Sequence, residues 1–171
     1  ALTSGSNNSG VGYASLLSIT TGSHNAGLGT NSLRINANGA VSFNSAVGSG
    51  SLNEIVAGND GNTGVGYRAG RGFRGDYNTN LGYQAGEHLT PATVGDYNIN
   101  IGYNTGMAHG SGADNNILIG KQLELQNSTG DNQLSIGNLI IGTGLTSTGT
   151  TLSSCLIGIG IAPTARLTLP A

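Results

Sequence analysis

Most folds lean on residues that this sequence has in short supply. Its 171 residues include no tryptophan, one methionine, one cysteine and three prolines. Six basic and eight acidic residues make up 8% of the chain, against roughly 25% in an ordinary globular domain. Scarce Glu and Lys beside abundant Gly and Asn argue against long helices. A disordered tail would carry more charge and fewer aliphatics. A single Cys155 excludes an internal disulfide framework. No run approaches 18 consecutive apolar residues, so neither a membrane-spanning helix nor membrane insertion is expected. The first residues lack the basic-then-apolar order of a secretory signal, and a start at Ala1 is expected of a processed chain or a fragment. The net charge of −2 gives no general pull toward nucleic acid or anionic membranes.

What fills the chain instead is glycine, at 31 residues, and asparagine, at 20. They are arranged in a repeat. GNTGVGYRAG (61–70), YNTNLGYQAG (77–86) and YNINIGYNTG (97–106) are near copies. Weaker copies surround Gly12, Gly29, Gly48, Gly120 and Gly137. The copies align on Gly12, Gly29, Gly48, Gly66, Gly82, Gly102, Gly120 and Gly137. These glycines recur at intervals of 17, 19, 18, 16, 20, 18 and 17 along the chain, averaging about 18. The residue before each glycine is aliphatic: Val11, Leu28, Val47, Val65, Leu81, Ile101, Ile119 and Ile136. Four before it stand Asn8, Asn25, Asn44, Asn62, Asn78, Asn98 and Asn116, then Gln133. Six before it, the later copies carry Asp60, Asp76, Asp96, Asp114 and Asp131. One after it, Tyr13, Tyr67, Tyr83 and Tyr103 recur.

The columns alternate. Odd offsets from the glycine hold small apolar residues, aliphatics and tyrosine, whereas even offsets hold Asn, Gly, Gln and Arg. A period of two predicts a strand with one buried face, the apolar odd one. Between copies, Leu16-Leu17-Ser18-Ile19, Leu33-Arg34-Ile35, Ile55-Val56 and Leu123-Glu124-Leu125 predict a second short strand, with Gly-rich corners at 70–72 and 110–112. One such unit buries little alone, but stacked units do, with rungs about 4.8 Å apart. The fold class expected is therefore all-β, a repetitive β-solenoid or β-roll. Stacking makes each column a ladder: asparagine amides hydrogen-bonded rung to rung, and glycines where backbone bends or approaches closely. Strict hexapeptide and GGxGxDxUx nonapeptide patterns are absent. The odd columns offer a meagre core, so several chains are expected to pack side by side or intertwined as an obligate homo-oligomer.

These repeats resemble those of bacteriophage tail fibres and tail spikes, and are similar to the head repeats of trimeric autotransporter adhesins. The end of the sequence, DNQLSIGNLIIGT (131–143) followed by LIGIGIAPTARLTLPA (156–171), resembles the segment that closes many phage fibre shafts. The resemblance implies residues 1–141 as a solenoid shaft. It implies residues 142–171 as a C-terminal β segment leading to a fibre tip or a further domain, often a self-cleaving chaperone, outside this sequence. It also implies a homotrimer on the virion tail that contacts other tail proteins and attaches the virion to a bacterial surface polysaccharide or lipopolysaccharide. The adhesin alternative implies a bacterial cell surface; a polysaccharide-degrading tail spike is a further alternative. The longer, uneven unit of this sequence departs from the adhesin-head pattern.

Catalytic patterns are sparse. G-x-S-x-G is absent, and the three histidines (His24, His88, His109) fall in three different repeats. No enzyme activity, cofactor or metal is expected. Cys155 reads as a small buried residue. The Asp column reads as turn caps accepting backbone N–H groups, with a cation-binding row and paired catalytic carboxylates as lesser readings. Gly70-x-Gly72-x-x-Gly75 has no helix after it and reads as a corner. Arg68, Arg71 and Arg74 are three of the six cations within seven residues; tripled in a trimer, they would form a basic belt for acidic sugars or phosphate. A solvated loop is the plainer reading. Tyr67, Tyr83 and Tyr103 share the parity of the aliphatics, which favours a buried ladder over sugar-stacking platforms. His88 and His109 are satisfied or solvent-facing residues, or a metal or anion site on a threefold axis. An ice-binding solenoid would need a regular threonine column, which is absent.

Overall fold

A computed structural model describes residues 4–35, 39–88, 95–108, 110–137, 139–143 and 156–159. Among them there is no helix. Eight three-residue strands follow the repeat: β1 (Ser9–Val11), β2 (Ala26–Leu28), β3 (Ser45–Val47), β4 (Thr63–Val65), β5 (Thr79–Leu81), β6 (Ile99–Ile101), β7 (Ile117–Ile119) and β8 (Leu134–Ile136). They pair in chain order, all parallel, with equivalent residues of successive repeats opposite one another. The chain is thus a β-solenoid in which each sequence repeat forms one coil. After β8 the pairing turns antiparallel, through β9 (Ile140–Thr143) and β10 (Leu156–Ile159). Cys155, His109 and residues 160–171 lie outside the described residues.

The asparagine ladder forms, and it engages the backbone more than expected. The Oδ1 of each asparagine accepts the backbone N–H of the next: Asn8 from Asn25 (3.0 Å), Asn44 from Asn62 (2.8 Å), Asn78 from Asn98 (2.8 Å), and finally Asn116 from Gln133 (2.8 Å). The Nδ2 group donates to a carbonyl at the corner of the following coil, Asn8 to Gly22, Asn62 to Gly75 and Asn98 to Ala113. Direct amide-to-amide bonds supplement these at Asn25, Asn44 and Asn78. The central asparagines are buried.

The strand faces are reversed relative to the expectation from hydropathy. Position −2 from the glycine points inward, on the same side as the asparagines at −4. The aliphatic −1 column points out: Val11, Leu28, Val47, Leu81 and Ile119 are exposed. Parity explains this. The asparagine amides need buried partners, and −4 and −2 lie on one face of a strand. The interior is narrow, and the residues at −2 share it with corner side chains of their own and neighbouring coils: Gly10 lies against Leu16 and Gly64 against Leu52, whereas Asn80 lies against Gly70 and Gly86. A Cβ on Gly27 would meet Leu16 and Ser32, and one on Gly86 would collide with Asn80 Oδ1.

The runs expected as second strands are turns and irregular backbone, apart from an isolated bridge between Ile19 and Gly39. They nonetheless supply the core. Ile19, Leu33, Ile35, Val41, Leu52 and Ile55 form one buried cluster with Ala46, and Ala113, Leu118, Leu123 and Leu125 form another. Corners replace strand geometry here because residues such as Leu16, Leu33 and Leu52 take positive φ (56°, 48° and 46°). That conformation costs a residue with a Cβ about 1–2 kcal/mol, offset by bonds to neighbouring coils such as Leu52 N–H to the Ala69 carbonyl (2.9 Å). From Gly12 to Gly102 the glycines of the repeat column sit at φ between 125° and 135°, and a Cβ at Gly82 would strike the Gly102 carbonyl oxygen.

Two substitutions test these devices by thermal unfolding. Asn98→Ala orphans the Asn116 N–H and the Ala113 carbonyl, and is expected to cost about 2–6 kcal/mol at roughly 1–3 kcal/mol per buried orphan. Gly82→Ala combines an unfavourable φ, about 1–3 kcal/mol, with a backbone clash, and is expected to cost at least as much. A melting temperature unchanged in either variant would contradict the role given to that column.

Candidate functional site

Two surfaces emerge from the coil geometry: a corner rich in charge and an outward sheet face rich in apolar side chains. The corner is built where the interior turns polar. Between the two aliphatic clusters the solenoid encloses Asn80, Asn100, Thr105, Glu87 and His88, all buried. Asn100 Nδ2 donates to Asn80 Oδ1 (2.9 Å) and Thr105 Oγ1 to the Gly120 carbonyl (2.5 Å). Glu87 has a fully buried side chain. Arg71 reaches it from the preceding coil: Nη1 donates to Glu87 Oε1 (3.0 Å) and Nη2 to Glu54 Oε1 (3.1 Å). Gln84 Nε2 donates to the second oxygen of Glu87, and Arg68 Nη1 lies 3.7 Å from the first. Burial lowers the pKa of Arg71, but its bonds to Glu54 and Glu87 outweigh that, so the guanidinium stays charged.

The structure therefore does not gather Arg68, Arg71 and Arg74 into one free basic belt. Arg71 is neutralised by two carboxylates, and Arg68 lies near one of them and over the Tyr67 ring, 5.0 Å from its centroid. Arg74 lines a different recess, of about 290 Å³, together with Asp76 and Asp96. The carboxylates that cancel the charge, Glu54 and Glu87, fall outside the columns that the repeat exposes. The signal for them was the glutamate–arginine spacing of 16 and 17 residues, close to one coil.

The aspartate column accepts backbone N–H groups as expected, but from the preceding coil rather than its own turn. Asp60 Oδ1 accepts from Ser42, Asp76 from Asp60, Asp96 from Asp76 and Asp114 from Asp96. It runs opposite in sense to the asparagine ladder. Gly70-x-Gly72-x-x-Gly75 is a corner, with φ of 66°, 69° and 156° at its three glycines. Among the described residues, no group of three or more His, Cys, Asp or Glu is placed to hold a metal ion. His24 stacks on Phe43 with centroids 5.0 Å apart and contacts Asn7 Nδ2 (3.0 Å). His88 packs edge-on against Phe73 and hydrogen-bonds the Gly106 backbone. Burial, partly opposed by that bond, pushes its pKa down to about 4.

The tyrosine ladder exists but is not buried. Tyr67, Tyr83 and Tyr103 stack with centroids 5.1 and 5.3 Å apart, and remain 39–47% exposed on the outward face. They share the parity of the −1 aliphatics, and the whole face is turned out. Lys121 follows in the column, 6.0 Å from the Tyr103 ring centroid. A second stack, Tyr77 on Tyr97 at 5.2 Å, borders the other side of the strands at offset −5, with Phe43 and His24 earlier in the same column. Apart from Leu17 and Leu139, every large apolar side chain exposed among the described residues belongs to these outward columns. Compared with protein-family models, curated proteins and solved structures, the chain matches none.

A buried neutral His88 links stability to pH. Between about pH 6.5 and pH 4 the unfolded chain takes up a proton that the folded chain refuses, so stability falls as pH falls through that window. The loss from this residue approaches about 3 kcal/mol at the lower end. In His88→Gln the difference in unfolding free energy between pH 7 and pH 4 is expected to shrink by about that amount. A difference equal to that of the wild type would remove His88 as its source.

Proposed function

We propose that the chain is a non-enzymatic, structural and receptor-binding segment of a bacteriophage tail fibre, working as a homotrimer that holds bacterial surface polysaccharide by multivalent contacts. The observation that carries this reading is the outward face. Strands β1 to β8 present aliphatics at −1, joined from Ile99 onward by Ile117 and Leu134 at −3, and the face is edged by two aromatic stacks. A continuous exposed apolar face marks an interaction surface. It runs the length of the parallel stack, so the partner that fits it is equally long and equally repetitive. Two further copies of the same chain meet that requirement. Each covered aliphatic would contribute about 1.5–3 kcal/mol.

Three stiff coils side by side suit a shaft that transmits load and resists proteolysis. Repeated coils also present repeated weak contacts, which avidity multiplies through effective concentration. The absence of enzymatic work in this reading rests on how the corner carboxylates are used. Glu54 and Glu87 are acceptors for Arg71, and the column aspartates are acceptors for backbone N–H groups. Among the described residues these carboxylates are occupied as hydrogen-bond acceptors, whereas glycoside hydrolysis needs one carboxyl as acid and another as base or nucleophile.

Light scattering and cell adsorption test the reading together. The chain is expected to show three times its 17.0 kDa mass and to adsorb to bacteria with intact surface polysaccharide but not to stripped cells. Leu81→Lys places three ammonium groups in the covered face, and is expected to return the mass to that of one chain or weaken the trimer by at least about tenfold. A wild-type monomer would sink the trimer, and shortening of the polysaccharide on incubation would make the protein an enzyme.

A further inference from the structure

The recess at Arg74 lies off the outward face. It is about 290 Å³ in volume, and its polar lining is Asn59, Arg74, Asp76 and Asp96, with Val56 as an apolar wall. All five stand six or more residues before the glycine of their repeat, at the corner that leads into the asparagine ladder. None belongs to the columns at −5, −3, −1 and +1 that face outward. A trimer packed through those columns would leave this corner in water.

The charges of the recess do not pair with one another. Among the described residues Arg74 forms no ion pair, although two carboxylates line the same space, whereas Arg71 is closed by Glu54 and Glu87. Each aspartate commits one oxygen to the backbone: Asp76 Oδ1 accepts from the Asp60 N–H (2.9 Å) and Asp96 Oδ1 from the Asp76 N–H (2.8 Å). The second oxygen of each has no partner among the described residues and is not buried, so a ligand can reach it. Asn59 Oδ1 accepts the Val56 N–H (3.2 Å), which leaves its amide N–H groups for a ligand. The two aspartates stand on successive coils, with rungs about 4.8 Å apart, and like charges so close repel. One guanidinium against two carboxylates leaves an excess of one negative charge.

That excess selects the ligand. A primary ammonium carries three N–H donors and can meet both open carboxylate oxygens at once. The guanidinium and the Asn59 amide call for oxygen acceptors beside that ammonium. A neutral polyol lacks the charge, and a uronic acid carries the opposite one. The volume lies at the lower end of the ~300–1,000 Å³ of small-molecule sites, which suits one sugar ring. We propose that this corner is a subsite for a hexosamine unit with a free amino group, its ammonium between Asp76 and Asp96 and its neighbouring hydroxyl oxygens accepting from Arg74 and Asn59. The proposal rests on the fibre reading for its biological ligand, a surface glycan, and names an amino sugar where a basic belt would select an acidic one.

The test is titration by saturation-transfer NMR on the whole chain, in mildly acidic buffer that keeps the amine protonated. The probes are methyl glucosaminide, its N-acetyl form, methyl glucoside and methyl glucuronoside. Asp76→Asn and Asp96→Asn remove the charge but keep a side-chain oxygen for the backbone N–H, as the asparagine column does. The glucosaminide is expected to bind, with the other three probes at least roughly tenfold weaker, and each variant is expected to weaken it by roughly tenfold, as for loss of a charged hydrogen bond. The comparison of free with acetylated amine needs no variant, and decides the matter where a variant does not fold. No transfer to the glucosaminide, equal binding of its N-acetyl form, preference for the glucuronoside, or unchanged affinity in both folded variants would each overturn the proposal. Cell adsorption separates the two readings. Adsorption unchanged in the double variant leaves the fibre standing and overturns the recess as its receptor subsite. Glucosaminide binding by a chain that adsorbs to no bacterium supports the recess and overturns the fibre.

Discussion

Everything in this solenoid depends on a hydrogen bond between a side chain and the backbone of the next coil. The carbonyl oxygen of each ladder asparagine accepts the N–H of the asparagine one coil on, at 2.8–3.1 Å throughout the ladder. The contact is made at a fixed place in each coil, just before the strand. It therefore sets coil spacing and strand register at once, whatever the length of chain in between. That tolerance is visible in neighbouring coils. The ladder steps 16 residues from Asn62 to Asn78 and 20 residues from Asn78 to Asn98, and the strands stay in phase across both. A core of aliphatics alone has no directional bond to resist slippage. The aspartate column adds a second set of bonds in the opposite sense, so each coil is held to both neighbours by side chains as well as by its strand.

Burying asparagine at −4 has a consequence for the opposite face. It commits −2 to the interior and sends −3, −1 and +1 outward, where the largest apolar residues stand. The interior then has to be filled from the corners, by Leu33, Leu52, Ile55 and Leu123, and Leu33 and Leu52 accept left-handed backbone to do so. Where the corner gives glycine instead, at Gly86 and Gly106, the strand answers with Asn80 and Asn100, and the centre of the rod becomes polar. Glu87, with Arg71 closing it from outside, belongs to that same polar centre. A buried ion pair of this kind contributes little net stability, and removing one partner costs about 3–5 kcal/mol.

The repeat, its length, the parallel stack, and the asparagine and glycine ladders were legible in the sequence because each is a column, and a column survives averaging over copies. The assignment of faces was not. Hydropathy alone puts Val65 or Ile101 inside and Asn62 or Asn98 outside, and it is the hydrogen-bonding demand of the amides that decides otherwise. The closeness of Asn80 at −2 to Gly86 at +4 was present in the letters, but it becomes a signal only once both positions are known to share one small space. The fate of the arginines was hidden for a different reason. Glu54 and Glu87 meet Arg71 across coils, and sequence distance gives no angle around the coil axis.

The outward face is organised differently from the interior. Within the coils the inward ladder asparagines are matched by neighbours, and asparagine stands at Asn80 where the corner is Gly86. Outward, the matching also exists, but it runs along the rod: Tyr67 on Tyr83 on Tyr103, Tyr77 on Tyr97, aliphatic on aliphatic. Regularity of that kind is costly to leave in water and gains nothing for the isolated solenoid, since stacked rings 39–55% exposed lose side-chain freedom for little burial. It gains a great deal if a surface with the same rise per rung lies against it. A ladder is complementary to another ladder of equal pitch, which is the ground for proposing further copies of the same chain as its partner. The interruption at Ser49 stands out on that ground, because it breaks the column beside an open recess of about 180 Å³.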